Sequence, residues 1–371
     1  MVKPAERIKS IELSQIRKMF EVCDENAISL GIGEPDFDIP ENVKIAINNA
    51  LDEGFTHYTH NKGFLELREE ISKKLKNDNK LSIDPNSILV TVGASEALYI
   101  CAQGLFEKGD EILIPDPGFL SYKACVDISD ATAIPVEAKV NNDYKIKFED
   151  VEEKITKKTK AFIMNSPSNP TGAVMEKQDI KAIADLATDN DFIIISDEIY
   201  EKIIYGKKHY SPKQFTDNAI VINGFSKTYA MTGLRIAYLA GQEEIIEELL
   251  KIHQYNTACA PSISQVAGYE ALRGPQGYVN NMVKEFKRRR DLISERLNDL
   301  NLKCTPLEGA FYAFPQVEDA SEYVKKALDV GVITVPGSGF GNTCNCNVRM
   351  SYANSYENIE EAMHRLEKIK N

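Results

Sequence analysis

The strongest constraint on this chain is a series of short, unbroken, β-branched apolar runs separated by stretches of helical period. Ile88-Leu89-Val90-Thr91-Val92, Glu111-Ile112-Leu113-Ile114, Ala161-Phe162-Ile163-Met164, Phe192-Ile193-Ile194-Ile195 and Ala219-Ile220-Val221-Ile222 are such runs, and Arg235-Ile236-Ala237-Tyr238-Leu239-Ala240 comes after them. None alternates apolar with polar residues as a strand with one wet face does, so they predict strands buried on both faces. Between several of them the period changes; Asp179 to Thr188 sets Ile180, Ile183, Ala184 and Ala187 on one helical stripe. Strand, helix and strand in repetition predict an α/β fold, a largely parallel sheet with helices on both faces.

The C-terminal third differs. Met282 to Leu300 predicts one long helix, with Val283, Phe286, Ile293, Leu297 and Leu300 at three- and four-residue steps. Shorter strands come next at Ala310–Phe314 and Asn347–Tyr352, with helices around Ser321–Val330 and Ser355–Ile369. This is α+β in character. With 371 residues there is chain for two domains. The expected division is a large domain over 41–282 and a small α+β domain over 1–40 and 283–371. The run Arg288-Arg289-Arg290 is expected to be a solvated helix face.

Charge and composition exclude several classes. A net charge of −12 opposes nucleic-acid phosphates and anionic membrane surfaces as main partners. No run approaches the ~18 apolar residues of a membrane span, and Met1 to Arg7 lacks the apolar core of a signal peptide. The seven cysteines, at 23, 101, 125, 259, 304, 344 and 346, are odd in number and scattered, which predicts a reduced, cytoplasmic protein. Cys344-Asn345-Cys346 has no histidine near it and is expected to be two incidental loop cysteines, with no metal site.

The chemistry lies in the residues just after each apolar run. Val92 leads into Gly93-Ala94-Ser95-Glu96, and Met164 into Asn165-Ser166-Pro167-Ser168-Asn169-Pro170-Thr171-Gly172. Ile195 leads into Ser196-Asp197-Glu198-Ile199-Tyr200, and Ile222 into Asn223-Gly224-Phe225-Ser226-Lys227-Thr228. All four clusters fall at the carboxyl ends of predicted parallel strands, the edge where open α/β sheets bind ligands.

Their residue types narrow the ligand. Gly93-Ala94-Ser95, between a strand and a helix, offers free backbone N–H groups at a positive dipole end, which suits a phosphate. Ser226 adds a hydroxyl and Arg235 a fixed cationic fork. Lys227 sits in a tight loop where burial lowers an amine toward nucleophilic use. Asp197 ends a very apolar strand, where a carboxylate needs a positive partner such as a protonated ring nitrogen. Taken singly, each has a plainer reading: a surface lysine, a helix cap, a turn hydroxyl. Together, a phosphate cup, an aldehyde-reactive lysine and a carboxylate for a ring nitrogen describe pyridoxal 5′-phosphate.

With these residues in view, the chain resembles class I aminotransferases of the pyridoxal-phosphate fold-type I superfamily, in their gamma-like subgroup, and is similar to archaeal aspartate and broad-specificity enzymes. Ser226-Lys227-Thr228-Tyr229-Ala230-Met231-Thr232-Gly233-Leu234-Arg235 carries the resemblance, supported by Asn169-Pro170-Thr171-Gly172 and Gly33-Glu34-Pro35-Asp36-Phe37. It implies a mostly parallel seven-stranded sheet in the large domain and a homodimer with shared active sites. It implies that Lys227 joins the cofactor covalently and then acts as general base, and that Asp197 keeps the ring nitrogen protonated. Asn169 and Tyr200 are expected at the ring oxygen, and Phe119 against the ring face. Ala94, Ser95, Ser226 and Arg235 are expected on the phosphate, with Tyr58 from the partner subunit. Arg349 is expected to take the substrate α-carboxylate beside the Gly33 backbone, and no metal is implied.

On the resemblance, the favoured reaction exchanges the amino group of aspartate with 2-oxoglutarate in a ping-pong cycle. Some relatives carry a distal-carboxylate lysine where this chain has Ser95, and Lys207 and Lys208 are the candidate substitutes. Aromatic, alanine or broad-range transamination is therefore an alternative, as are a β-lyase or decarboxylase on the same fold and a non-catalytic, cofactor-binding regulatory module. A nucleotide kinase is excluded because Ser226, not Gly, precedes Lys227. A dinucleotide enzyme is excluded because neither Gly31-Ile32-Gly33 nor Gly337-Ser338-Gly339-Phe340-Gly341 has the required spacing.

Overall fold

Twelve strands organise the chain in a computed structural model that describes residues 3, 5–9, 11 and 26–369. They are β1 (Ile28–Ser29), β2 (Ile88–Thr91), β3 (Glu111–Asp116), β4 (Thr132–Glu137), β5 (Thr159–Asn165), β6 (Ile193–Asp197), β7 (Ala219–Gly224), β8 (Ala237–Ala240), β9 (Tyr312–Ala313), β10 (Val332–Ile333), β11 (Val335–Pro336) and β12 (Val348–Ser351). Residues 1, 2, 4, 10, 12–25, 370 and 371 of the expected small domain, Cys23 among them, lie outside the described residues.

The apolar runs do form a doubly covered sheet. Its seven strands lie in the order β2-β8-β7-β6-β5-β3-β4, and only β8 runs antiparallel to its neighbours. Alternate residues of each central strand enter opposite cores. Ile163, Ile195 and Ile220 pack with Leu98, Cys101 and Leu249 of the helices Gly93–Leu105 and Glu243–Thr257. Phe162, Met164 and Ile194 pack with Ile180 and Ile183 of the helix Lys177–Asp189. Each such buried side chain contributes about 1.5–3 kcal/mol, and this two-sided burial explains the missing alternation in the sequence.

Two strands depart from expectation. β4 has no counterpart among the apolar runs: it is the outer edge, largely exposed, and it contains Pro135, which an edge tolerates. β8 begins at Ala237, because Arg235 has φ 51° and breaks the extended backbone.

The C-terminal elements build a second core. β9, β11 and β12 form an antiparallel sheet in the order β11-β12-β9, and β1 pairs in parallel with β10, so the segment after residue 26 lies with these strands. The helices Ala320–Asp329 and Tyr356–Leu366 start where their caps dictate. Asp319 accepts from the Glu322 N–H at 2.9 Å, and Ser355 from the Asn358 N–H at 3.1 Å.

The arginine run is not uniformly solvated. Arg288 is exposed, but Arg289 is buried on the long helix Gly277–Asp299, 2.6 Å from Asp36 and stacked on Phe37 and Phe286. It anchors the loop after Gly33 from behind. The six described cysteines are unpaired, including Cys344 and Cys346. Among the described residues, no helix is long and apolar enough to cross a membrane.

Candidate active site

The carboxyl ends of β2, β5, β6 and β7 open on one cavity of about 260 Å³. Eleven of the twelve expected site residues line it: Gly33, Ala94, Ser95, Phe119, Asn169, Asp197, Tyr200, Ser226, Lys227, Arg235 and Arg349. The twelfth, Tyr58, does not. It is 88% exposed and lines a separate surface depression with Val92 and Pro261. Lys207 also lies elsewhere, paired with Glu176 at 2.9 Å and Glu308 at 3.3 Å. Lys208 sits over the Tyr210 ring, and neither lysine lines the cavity.

One end of the cavity is built for an anion. Gly93 opens the helix Gly93–Leu105 at φ +76°, and a Cβ there would come within 2.5 Å of Arg235 Nη2. Only glycine permits this approach of backbone to guanidinium. Arg235 holds its own left-handed conformation, in which Nη1 donates to the Thr232 carbonyl at 2.9 Å. Non-glycine residues in that region carry about 1–3 kcal/mol of strain and cluster at functional sites. The helix N-terminus, buried Ser226 and exposed Arg235 thus converge where a phosphate would sit.

At the opposite wall Asp197 ends β6, 4% exposed. Tyr122 Oη donates to its Oδ2 at 2.8 Å, and the Ile199 N–H to its Oδ1 at 3.3 Å. No ion pair to Asp197 is present among the described residues. Burial raises the carboxyl to about 6, against the pull of Tyr122. An apolar strand has delivered a carboxylate with no directly paired cation among the described residues, Lys227 acting on it only from a distance.

Lys227 projects from the loop after β7. Its Nζ donates to the Gly33 carbonyl at 2.6 Å and lies 6.0 Å above the Phe311 ring. Burial lowers the amine to about 8; Glu34 opposes this, while Arg349 and Arg235 reinforce it. Arg349 is 2% exposed on β12. Its guanidinium lies between the rings of Tyr312 at 4.6 Å and Phe340 at 4.7 Å. It donates to Asn169 Oδ1 at 3.0 Å and to the Gly31 carbonyl at 2.6 Å, and its buried Nε has no partner. Three of its five N–H groups remain for a ligand carboxylate.

Sequence reasoning missed two tyrosines. Tyr122 sits one helical turn after Phe119, edge-on to it at 5.7 Å; that spacing was the available signal. Tyr312 shares a 2.7 Å hydroxyl contact with Tyr200 and supports Arg349, and nothing local in the sequence marks it. Tyr122→Phe should raise the Asp197 carboxyl by about one to two further pH units, since a hydrogen bond to a charged group contributes roughly 1.5–3 kcal/mol. Carbon-13 NMR titration of the aspartate carboxyls measures this, and an unmoved resonance would show that burial alone sets the value.

Comparison with known proteins places this arrangement. The family profile described as aminotransferase class I and II matches residues 25–366. The chain is 50% identical to a probable aspartate aminotransferase of Methanocaldococcus jannaschii, covering 98% of each chain. It is 40% identical to aromatic-amino-acid aminotransferase 2 of Thermococcus litoralis, covering 98% of this chain and 97% of that one. The aspartate aminotransferase from Thermus thermophilus with maleate superposes with a TM-score of 0.95 at 35% identity, over 98% and 99% of the two chains. With both the sequence and the fold matched along nearly its whole length, the chain belongs to the class I and II aminotransferases and is an amino-group transferase.

Proposed function

We propose that the protein is a pyridoxal-phosphate-dependent aminotransferase that exchanges the amino group of L-aspartate with 2-oxoglutarate in a ping-pong cycle. The observation that carries the reading is one cavity holding a lysine of lowered pKa, a buried carboxylate with no directly paired cation among the described residues, and an arginine with free N–H groups. These residues fit the cofactor: the Gly93–Arg235 cup suits its phosphate, and Asp197 its ring nitrogen. When bound, the cofactor supplies an electrophilic aldehyde and a ring that accepts electron density from the substrate α-carbon.

The chain's own groups divide the remaining work. Ala94, Ser95, Ser226 and Arg235 hold the phosphate, joined by Tyr58 from the partner subunit of a homodimer; exposure of Tyr58 in a single chain supports that assignment. Phe119 covers the ring face, and Asn169 and Tyr200 meet the ring oxygen. Asp197 keeps a proton on the ring nitrogen, because a buried carboxylate is stabilised by a facing cation. Arg349 orients the substrate α-carboxylate, with two aromatic faces and two acceptors fixing its plane. Lys227, with its amine near 8, takes up and returns the α-proton. The cofactor region corresponds to a large domain over 41–282, with 1–40 and 283–371 forming the small one. The six described cysteines, all unpaired, suit a reducing cytoplasm.

Aspartate is favoured by the named relatives, and the Thermus enzyme carries maleate, a dicarboxylate. A second reading, aromatic or broad-range transamination, draws on the lining: Lys227, Arg235 and Arg349 are its only cations among the described residues, and each already has a task. Absorbance spectra with pyridoxal phosphate, recorded as single amino acids are added without an oxo acid, separate the cases. Conversion of the visible band with stoichiometric oxo acid, fastest for aspartate, is expected. Fastest conversion by an aromatic amino acid selects the second reading. Catalytic release of ammonia or carbon dioxide would replace both with a lyase or decarboxylase.

A further inference from the structure

The turn after β6 has two faces. Asp197 and Tyr200 look into the cavity. Glu198 and Glu201, on the other side of the same turn, are 0% and 7% exposed. Two acids so deeply buried require compensation. Glu198 accepts from Ser196 Oγ at 2.9 Å and meets His209 Nε2 at 2.9 Å. Glu201 is bonded by Lys74 Nζ and by Asn79 Nδ2, both from the helix Leu65–Asn79.

Glu198, Glu201 and His209 bring their ligand atoms within 4.8 Å of one another, as a metal site would. The cluster does not call for a metal, because each carboxylate already has a partner: Lys74 meets Glu201 and His209 meets Glu198. At Glu201 and His209 burial opposes the charge, and proximity overcomes it. Lys74 and His209 draw Glu201 down to about 2, and Glu198 and Glu201 raise the His209 ring. Tyr229 and Tyr238 lie near Glu201, and Asp78, near the same two tyrosines, is paired outward to Lys202 at 2.8 Å.

We infer that Lys74 and His209 are positioning residues: by gripping Glu201 and Glu198 from behind, they fix the turn that presents Asp197 and Tyr200 to the cavity. On its cavity side the turn is held by Tyr122 Oη and Asn165 Nδ2, which donate to the Asp197 carboxylate and carbonyl, and by the Tyr200–Tyr312 hydroxyl contact; the grip secures the opposite side. The turn's backbone bonds are Glu198 N–H to the Ile222 carbonyl, Glu201 N–H to Glu198 and Ile203 N–H to Tyr200. Without the grip, Asp197 and Tyr200 keep their cavity-side contacts, but the turn that carries them loosens from behind and their aim is less sharply fixed. The inference rests on the function proposed above for its catalytic consequence, but not for its structural one.

The test uses two variants and a control. His209→Gln with Glu198→Gln removes one grip. Lys74→Met with Glu201→Gln removes the other without stranding a buried charge, which would itself destabilise strongly. Ile183→Ala, in the fully buried helix face far from the turn, is the control for lost stability alone. Hydrogen exchange of the amides from Glu198 to Ile203 in the cofactor-free protein should become at least about tenfold faster in both variants than in the control. In the loaded protein, the pH titration of the visible absorbance should shift, and kcat should fall by up to about 100-fold with KM little changed, as Arg349 is untouched. Exchange and titration indistinguishable from those of Ile183→Ala would overturn the inference. Faster exchange in a protein whose parent shows no visible band with pyridoxal phosphate would uphold the grip and overturn the proposed function.

Discussion

Replacing Lys227 with alanine is expected to lower turnover by at least about 10⁴-fold, the upper range for losing a positioned acid–base group that is also the covalent attachment point. No other amine lines the cavity among the described residues, so nothing stands ready to take over the proton. The phosphate cup is untouched, and pyridoxal phosphate should still bind. A coupled assay for oxo-acid formation measures the first effect and equilibrium dialysis the second; ordinary turnover would remove Lys227 from its assigned role. A volume-matched Lys227→Met variant reports on the amine itself. The folded amine titrates near 8 against an ordinary 10.5. Below pH 8 the folded state therefore bears a charged group it disfavours, and above 10.5 it does not. The cofactor-free Met variant should be more stable than its parent at pH 7, and that gain should disappear as the pH rises from 8 through 10.5.

Arg349→Lys is expected to raise KM for every amino acid and oxo acid by roughly 30- to 1,000-fold, the span of about 2–4 kcal/mol for a spoiled buried charge pair. Lysine keeps the charge but loses the planar fork and its stacking between Tyr312 and Phe340. It would also leave the Asn169 side chain and the Gly31 carbonyl to share one ammonium nitrogen in place of two guanidinium nitrogens held apart in a fixed fork. Because the proposed contact is to the α-carboxylate, a group common to all substrates, their rank order should survive. Steady-state kinetics with two amino acids of different side chain decides it: a selective loss would move Arg349 to side-chain recognition.

Legibility in the sequence depended on where each residue's environment is set. β5, β6 and β7 were plain because burial on both faces leaves its mark on every residue of a strand. Asp197 and Lys227 could be found because each lies at or just beyond the end of such a strand. β4 was hidden because an edge strand has the composition of a loop. Arg289 sits between two arginines identical to it in sequence terms. Only packing distinguishes it, through Asp36 and the ring of Phe37. Tyr312, His209 and Lys74 were silent for the same reason: their partners are 112, 11 and 127 residues away, respectively.

The single antiparallel strand bears on how this fold can change. Since β8 reverses, the segment joining β7 to β8 returns along the same rim of the sheet, and Lys227 and Arg235 share one hairpin loop over 225–236. Lengthening that hairpin would separate the amine from the guanidinium that must meet Gly93. The parallel strands begin on the opposite rim, with turns at Asp110, Lys158 and Asn218 that contribute nothing to the cavity. Insertions and grafted segments would be absorbed on that rim, so the fold separates a plastic edge from one whose loop lengths are fixed by chemistry.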